Sequence, residues 1–195
     1  MKFKLNLDYK KHIGHSTLLY GDTNTKKTIQ TSKFIQFLLE SKKIPPKEIS
    51  ILDFAPNLTK VRNLKIGGKI RDYYENSAKC RNISFRGDII PPRLNSRNKT
   101  ELYQNAYENF KKTSKILKSF NEEQTSILII NDISIYLHMG SLDLLLKAIN
   151  NSSTFFGNSY YGSSIKKEFA TLFSRREKRQ VENLIKEVEK SYLTG

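Results

Sequence analysis

Cysteine is nearly absent from this chain of 195 residues, which has one cysteine, three histidines and no tryptophan. Because a disulfide needs two thiols, the single Cys80 excludes an intrachain disulfide framework and also a cysteine-rich zinc site. The three histidines, His12, His15 and His138, are too scattered along the chain to predict a metal site. This composition suits a reducing compartment, and we predict a cytoplasmic protein.

Long apolar runs are absent as well. No stretch approaches the ~18 consecutive apolar residues that a membrane-spanning helix needs. Residues 1–11 lack the apolar core and the small-residue cleavage site of a secretory signal. We therefore predict no membrane association. Hydrophobic residues still make up 37% of the chain, which is enough for one globular domain over residues 1–195.

Acidic residues are scarce relative to basic ones. There are 34 Lys and Arg against 19 Asp and Glu, which gives a formal net charge of +15. Positive charge attracts phosphate groups, so we predict a nucleotide ligand and consider a nucleic acid or an acidic protein as partners of the basic surface. The alternative is a solvated surface in a chain rich in Lys, Ile and Asn.

Apolar runs alternate with helical patterns along the chain. The five runs predicted to be strands begin near Ser16, Ile49, Asn82, Ser126 and Ser153. Residues 127–130 are all apolar, which is typical of a strand buried on both faces of a parallel sheet. We predict an α/β fold of three layers, with a mainly parallel five-stranded sheet and helices on both faces.

Four helices are predicted, at residues 28–41, 98–120, 142–149 and about 174–193. A capping box at residues 174–177 would open the last helix. Its predicted buried stripe consists of Val181, Leu184, Ile185, Val188 and Tyr192. Residues 58–98 have a weaker pattern, and we interpret them as an inserted excursion with one strand. Long segments without clear elements often carry function.

A phosphate-loop pattern lies between the first predicted strand and the first predicted helix. Residues 21–28 read GDTNTKKT, whereas the pattern is G-x-x-x-x-G-K-[ST] in the same context. Gly21, Lys27 and Thr28 match, and Lys26 stands at the second glycine position. Loop amides and the positive end of the helix dipole together attract anions. The alternative is an ordinary strand–turn–helix connection with solvated lysines.

This segment resembles a degenerate Walker A motif of P-loop NTPases. The resemblance implies that Gly21 makes the turn, Lys27 holds the β- and γ-phosphates and Thr28 holds magnesium. The expected cofactors are Mg²⁺ and ATP, or another nucleotide in its place. The predicted nucleotide-binding residues are Gly21, Asp22, Thr23, Asn24, Thr25, Lys26, Lys27 and Thr28.

Lys26 is the departure from that motif. Glycine suits a backbone that passes close to a ligand, because it has no Cβ. We therefore expect a weakened phosphate site and tighter ATP binding after Lys26→Gly. If the second ammonium instead attracts the phosphates, the same substitution should weaken binding.

Residues 127–132, ILIIND, resemble a Walker B strand. In that family the acid after the apolar run holds magnesium through water, and here Asn131 precedes Asp132. The resemblance implies that Asp132, with Lys27, is catalytic: either Asp132 has taken over the magnesium role, or it is the catalytic base and the only acid that is left. Residues 131–140 are also similar to the corresponding segment of nucleotide-binding corrinoid adenosyltransferases. The alternative is a buried strand that ends in a turn-forming pair.

Asp53 ends the second predicted strand. Because ligands of open α/β sheets bind at the carboxyl ends of the strands, Asp53 should lie near Gly21 and Asp132. We therefore predict metal ligands at Thr28, Asp132 and Asp53. The alternative role of Asp53 is to cap a local turn.

A basic cluster, formed by Arg175, Arg176, Lys178 and Arg179, lies near the start of the last predicted helix. Arg175 or Arg176 could reach a γ-phosphate as an arginine finger or contact nucleic-acid phosphate. Tyr160 and Tyr161 could stack on a base or pack in the core. The alternative for the cluster is a solvated face.

The predicted function is that of a nucleotide-binding protein with a weakened phosphate loop: a Mg²⁺-dependent, ATP-binding ATPase or hydrolase, or a nucleotidyl- or phosphoryl-transferring enzyme. The alternative is a non-catalytic basic module that kept the fold and binds nucleic acid or an acidic partner.

Overall fold

The computed structural model describes residues 6–61, 64–165 and 167–195. The main sheet has six strands: β1 (Ser16–Gly21), β2 (Ile49–Asp53), β5 (Arg81–Asn82), β6 (Ile127–Asn131), β7 (Thr154–Tyr160) and β8 (Lys190–Thr194). Their order is β5-β2-β6-β7-β1-β8, and every neighbouring pair is parallel. The predicted α/β class and parallel sheet are confirmed.

Helices cover both faces of this sheet. They are α1 (Lys27–Gln36), α2 (Pro92–Asn95), α3 (Lys99–Glu122), α4 (Ser134–Leu137), α5 (Leu142–Asn150) and α6 (Thr171–Glu187). On one face, Phe34 and Ile35 of α1 pack against Ile129 and Phe156. On the other, α3, α5 and α6 cover a second apolar cluster that includes Leu128. The continuous run of β6 is buried throughout because it lies between these two clusters.

The strand count and the C-terminal helix differ from the predictions. The last helix begins at Thr171, before the predicted capping box, and ends at Glu187. Tyr192, predicted to lie on that helix, lies on β8, the sixth strand. The four-residue spacing from Val188 to Tyr192 fits a helix by coincidence. The structure instead pairs β8 with the open edge of β1, which satisfies backbone groups that a helix would leave exposed.

The first predicted helix, residues 28–41, is present, but it is α-helical only as far as Gln36. Residues Phe37–Ser41 continue α1 as a π-helical turn, in which the amide of Lys42 donates to the carbonyl of Phe37. Lys43 then adopts a left-handed backbone with a φ of 55°. The chain therefore leaves the helix before Pro45, which disfavours a helical residue in front of it.

The predicted excursion is a real interruption of the α/β alternation. It contains an antiparallel hairpin of β3 (Thr59–Val61) and β4 (Leu64–Ile66), followed by 3₁₀ turns at Ile70–Asp72 and Glu75–Lys79. Among its described residues, only the two-residue strand β5 joins the main sheet, at the edge beside β2. Within the described part of the chain, no helix is long and apolar enough to cross a membrane.

Candidate functional site

A cleft of about 270 Å³ opens at the carboxyl ends of β1, β6 and β7. Residues 23–29, which connect β1 to α1 and form the first turn of α1, make one wall. The excursion and its approaches make another, lined by Ala55, Pro56, Leu58, Lys65, Ile66, Gly67, Tyr73 and residues 91–94. Asp132, His138 and Asn158 also line the cleft. The chain thus brings the predicted phosphate loop and the predicted acid to one site.

The loop backbone shows why the motif has glycine where this chain has lysine. Lys26 immediately precedes α1 with a φ of 64°, and Asn24 has a φ of 60°. Both values lie in the left-handed region, which residues other than Gly, Asn and Asp rarely adopt. The cost of Lys26 therefore lies in its own backbone conformation, and its side chain is exposed. The prediction from the sequence attributed this cost to a Cβ too close to the ligand.

Lys27 folds its side chain back over the loop. Its ammonium donates to the carbonyl oxygens of Gly21 at 2.9 Å and Asp22 at 2.5 Å, and to the hydroxyl of Thr25 at 3.1 Å. Burial lowers the pKa of Lys27 to about 8, although the charges of Asp132 and Asp22 oppose this change. The ammonium is thus held by neutral oxygens at the beginning of α1.

Asp22 faces the loop that follows β7. Its carboxylate accepts hydrogen bonds from the amides of Thr23 at 2.7 Å, Ser163 at 3.1 Å and Ser164 at 3.2 Å. Burial raises the pKa of Asp22, but the hydrogen bonds from Ser164, Ser163 and Thr23 outweigh it and hold the pKa below its ordinary value. Gly162 allows this approach, because a Cβ there would collide with the carboxylate. Asp22 therefore joins the phosphate loop to the segment after β7.

A network of amides links the ends of the central strands to α1. Asn131 Oδ1 accepts from Thr28 Oγ1 at 3.2 Å and from Asn158 Nδ2 at 2.8 Å. Asn131 Nδ2 donates to Asp53 Oδ1 at 2.8 Å and to the carbonyl of Gly68 at 3.1 Å. Asn131 thus uses both ends of its amide to connect β6 with α1, β2, β7 and the excursion.

Asp53 lies at the base of the excursion and does not line the cleft. Besides the bond from Asn131, its carboxylate accepts from the amides of Ile70 at 2.7 Å and Ala55 at 3.2 Å. Burial raises its pKa, and the nearby Lys69 partly offsets that effect. The alternative role that the sequence suggested for Asp53, a local turn contact, matches these bonds.

Asp132 has a left-handed backbone with a φ of 57° immediately after β6. Its carboxylate accepts a hydrogen bond from Ser134 Oγ at 2.7 Å, and its amide donates to Asn158 Oδ1 at 3.1 Å. Burial raises the pKa of Asp132, against the effects of Ser134, Lys27 and His138. It is the only carboxylate among the described residues that line the cleft.

A buried ionic cluster, two of whose members line the cleft, was not predicted. Arg93 and Glu177 form a salt bridge in which both terminal guanidinium nitrogens, Nη1 and Nη2, donate to the carboxylate, and His138 Nε2 lies 2.8 Å from Glu177 Oε1. Burial raises the pKa of Glu177, but Arg93 and His138 outweigh it and hold the pKa at about 2. The sequence contained one signal: Glu177 falls on the buried stripe of α6 with Phe173 and Val181.

The two arginines predicted as possible arginine fingers or phosphate contacts lie on α6, and neither lines the cleft. Arg176 donates to the carbonyls of His138 at 3.1 Å, Met139 at 3.1 Å and Gly140 at 3.4 Å, just after α4. Arg175 is exposed and lines a second cavity. Among the described residues, the arginine that lines the cleft is Arg93.

Neither a protein-family model nor a curated protein matches this chain. Across residues 6–61, 64–165 and 167–195, no group of three or more His, Cys, Asp or Glu side chains is arranged to hold a metal ion. The function is therefore argued from the geometry of the cleft.

Proposed function

We propose that this chain binds the phosphate groups of a nucleotide, with ATP as its Mg²⁺ complex the expected ligand. The observation that carries the proposal is the environment of Lys27. Its ammonium is largely buried at the start of a helix and contacts carbonyl and hydroxyl oxygens. No carboxylate in the described residues forms a salt bridge with it.

A buried charge that is hydrogen-bonded only to neutral oxygens and lacks a countercharge is costly, and an anion in the cleft would reduce that cost. The first turn of α1 also leaves backbone amides without helical partners, and the helix dipole favours negative charge there. A phosphate group would pair with the Lys27 charge, accept hydrogen bonds from the first-turn amides and interact favourably with the helix dipole. Lys27 would then replace its hydrogen bonds to the carbonyls of Gly21 and Asp22 with hydrogen bonds to phosphate oxygens. Thr25, its third acceptor, belongs to the same loop.

The residues present also fit magnesium. Mg²⁺ prefers hard oxygen ligands and keeps several waters, so it needs only one or two groups from the protein. Asp132 offers a buried carboxylate with Ser134 as its side-chain hydrogen-bond donor, and Thr28 offers a hydroxyl that lines the same cleft. When bound, the metal would neutralise charge on the phosphate oxygens. We assign the metal to Thr28 and Asp132. We do not assign it to Asp53, because that carboxylate is hydrogen-bonded to the excursion.

For catalysis, the same residues suit hydrolysis or group transfer, which depend on positioning and charge neutralisation. Lys27 would hold the transferred phosphoryl group, and Asp132 would orient the metal or an attacking water. The alternative function is a module that binds the nucleotide without turnover. Release of inorganic phosphate from ATP would separate these two functions.

A thermal-shift experiment tests the binding proposal. The protein is melted with ATP, ADP and AMP, each with Mg²⁺ and with a chelator. A ligand at ~100 times its Kd should stabilise by about 2.7 kcal/mol, which corresponds to roughly 5–10 °C for a chain of this size. We expect the largest shift with ATP and Mg²⁺. If no nucleotide shifts the melting of the folded wild type at millimolar concentration, the proposal is wrong.

A further inference from the structure

A second cavity, of about 440 Å³, lies between the segment that follows β7 and the first half of α6. It shares Arg93, Tyr160 and Ile165 with the cleft, so these three residues separate the two spaces. Its volume falls in the roughly 300–1,000 Å³ range of small-ligand sites. None of the residues assigned to the nucleotide in the cleft lines it, so an occupant of this cavity would bind independently of that nucleotide.

The charge of this cavity is positive. Its lining includes Lys167, Arg175 and Lys178, together with Arg93. Neither Lys167 nor Arg175 forms a salt bridge with any carboxylate of the described residues. Of the two lining acids, Glu177 is neutralised by Arg93, which leaves only Glu168. The occupant should therefore carry negative charge.

The cavity also presents aromatic rings beside its cations. The guanidinium of Arg93 lies 5.0 Å from the ring centroid of Tyr160, and the ammonium of Lys178 lies 5.2 Å from that of Tyr161. Hydroxyl groups from Ser163 and other lining residues add hydrogen-bonding capacity. Cations that track phosphates and aromatic rings that stack on bases are the two components of single-strand recognition.

We propose that this cavity binds one nucleotide unit of a single-stranded nucleic acid. The phosphate would contact Arg175 and Lys178, and the base would lie against Tyr161. A single strand can turn a base out into a pocket of this size, whereas the bases of a duplex stay stacked and paired. The formal net charge of +15 would attract the rest of the strand. The proposal goes beyond nucleotide binding in the cleft and does not depend on it.

The test is fluorescence anisotropy with labelled 12-nucleotide oligo(dT) and oligo(rU) over a series of salt concentrations. The variant Arg175→Gln/Lys178→Gln removes two phosphate contacts, so binding should weaken about tenfold or more and the log–log salt slope should fall by about 1.4. The matched control, Lys115→Gln/Lys118→Gln, removes the same charge from exposed positions on α3 that line neither space. It should stay within about twofold of wild type.

Two further variants test whether a base stacks on Tyr161 and whether the oligonucleotide binds outside the cleft. Tyr161→Leu keeps every charge, and the loss of stacking should weaken binding by at least about fivefold. Lys27→Met should abolish the ATP-dependent thermal shift and leave oligonucleotide affinity within about twofold. If Lys27→Met loses both the ATP-dependent thermal shift and oligonucleotide binding, the oligonucleotide binds at the loop between β1 and α1, and the proposal is overturned. Melting curves without ligand verify that each variant folds.

Binding of either oligonucleotide with these variant effects supports the proposal, and the preferred sugar identifies DNA or RNA. Three other results would overturn it. The first is equal weakening by the two double variants, which means diffuse surface charge. The second is equal affinity for a duplex. The third is equal competition by polyglutamate, which means that the surface accepts acidic protein.

Discussion

Replacing Lys27 with methionine tests the proposed site most directly, because it should raise the stability of the unliganded protein and remove the stabilisation by ATP. Methionine has a similar length and no charge. Without ligand, the variant should be more stable than the wild type, since it no longer buries an ammonium. With ATP and Mg²⁺, only the wild type should gain stability.

The magnitude follows from the pKa of Lys27. Burial lowers this pKa from its ordinary 10.5 to about 8. Each tenfold change in proton affinity corresponds to about 1.4 kcal/mol, so the charged side chain costs the folded state about 3 kcal/mol. Methionine cannot donate to the carbonyls of Gly21 and Asp22, and the loss of these two hydrogen bonds offsets part of the gain in stability. We expect the free energy of unfolding to rise by about 2 kcal/mol at pH 7.

The pH dependence gives an independent check. The unfolded chain keeps the Lys27 proton up to pH 10.5, whereas the folded chain loses it near pH 8. Between these values the unfolded state binds more protons, so wild-type stability rises with pH. The advantage of Lys27→Met should therefore be complete below pH 8 and shrink towards pH 10.5. Tyrosines that titrate at high pH are common to both proteins and cancel in the difference.

Urea unfolding of both proteins at pH 7, 8, 9 and 10, with and without ATP and Mg²⁺, measures these effects. Lys33→Met is the matched control, because Lys33 is exposed on the same helix. Its free energy of unfolding should change by less than about 0.5 kcal/mol. The reasoning fails if Lys27→Met is less stable than wild type at pH 7 by an amount that stays constant up to pH 10.

Three further predictions concern the backbone of the loop, the metal and the ionic cluster. Lys26→Gly should raise the free energy of unfolding by about 1 kcal/mol, because it removes a left-handed lysine, and Lys43→Gly should do the same. Calorimetric titration should show tighter ATP binding in the first variant alone, because a glycine lets the loop backbone approach the phosphates more closely; an unchanged affinity in Lys26→Gly would contradict the assignment of ATP to this loop. Asp132→Asn should stabilise the unliganded protein, because burial raises the pKa of that carboxyl, and should abolish the Mg²⁺ dependence of ATP binding. An unchanged Mg²⁺ dependence in this titration would remove Asp132 from the metal site. Glu177→Gln should cost about 3 kcal/mol in urea unfolding at pH 7, because it leaves the Arg93 charge buried and unpaired. Since the pKa of Glu177 is about 2 against an ordinary 4.5, its contribution should be complete above pH 4.5 and decline towards pH 2, and a cost that is constant over this range would contradict the assignment.

The local pattern of the sequence was enough to predict the class of fold. The continuous apolar run of β6 required burial on both faces, and the structure buries every one of its residues. Asn98 was predicted to begin the long helix, and its side chain accepts the amide of Glu101 at 3.0 Å. Such features depend on residues within a few positions of each other, so a single sequence contains the whole signal.

The same local pattern predicted a loop at residues 21–28 between a strand and a helix, and the structure has β1 before it and α1 after it. It could not give the conformation of Lys26, since a left-handed backbone in a non-glycine residue has no pattern of its own. It also could not show that Lys27 would lack a carboxylate partner. That depends on which side chains from other strands reach the loop after packing.

Tertiary structure alone decided the sixth strand and the buried ionic cluster. Residues 190–194 became a strand because β1 had an open edge, which is a property of the assembled sheet. Arg93 and Glu177 are 84 positions apart, and His138 is 39 from Glu177. Their charges are compensated only when α2, α4 and α6 meet. Sequence periodicity predicts which face of a helix is buried, but the partner of a charge on that face is determined by the three-dimensional packing.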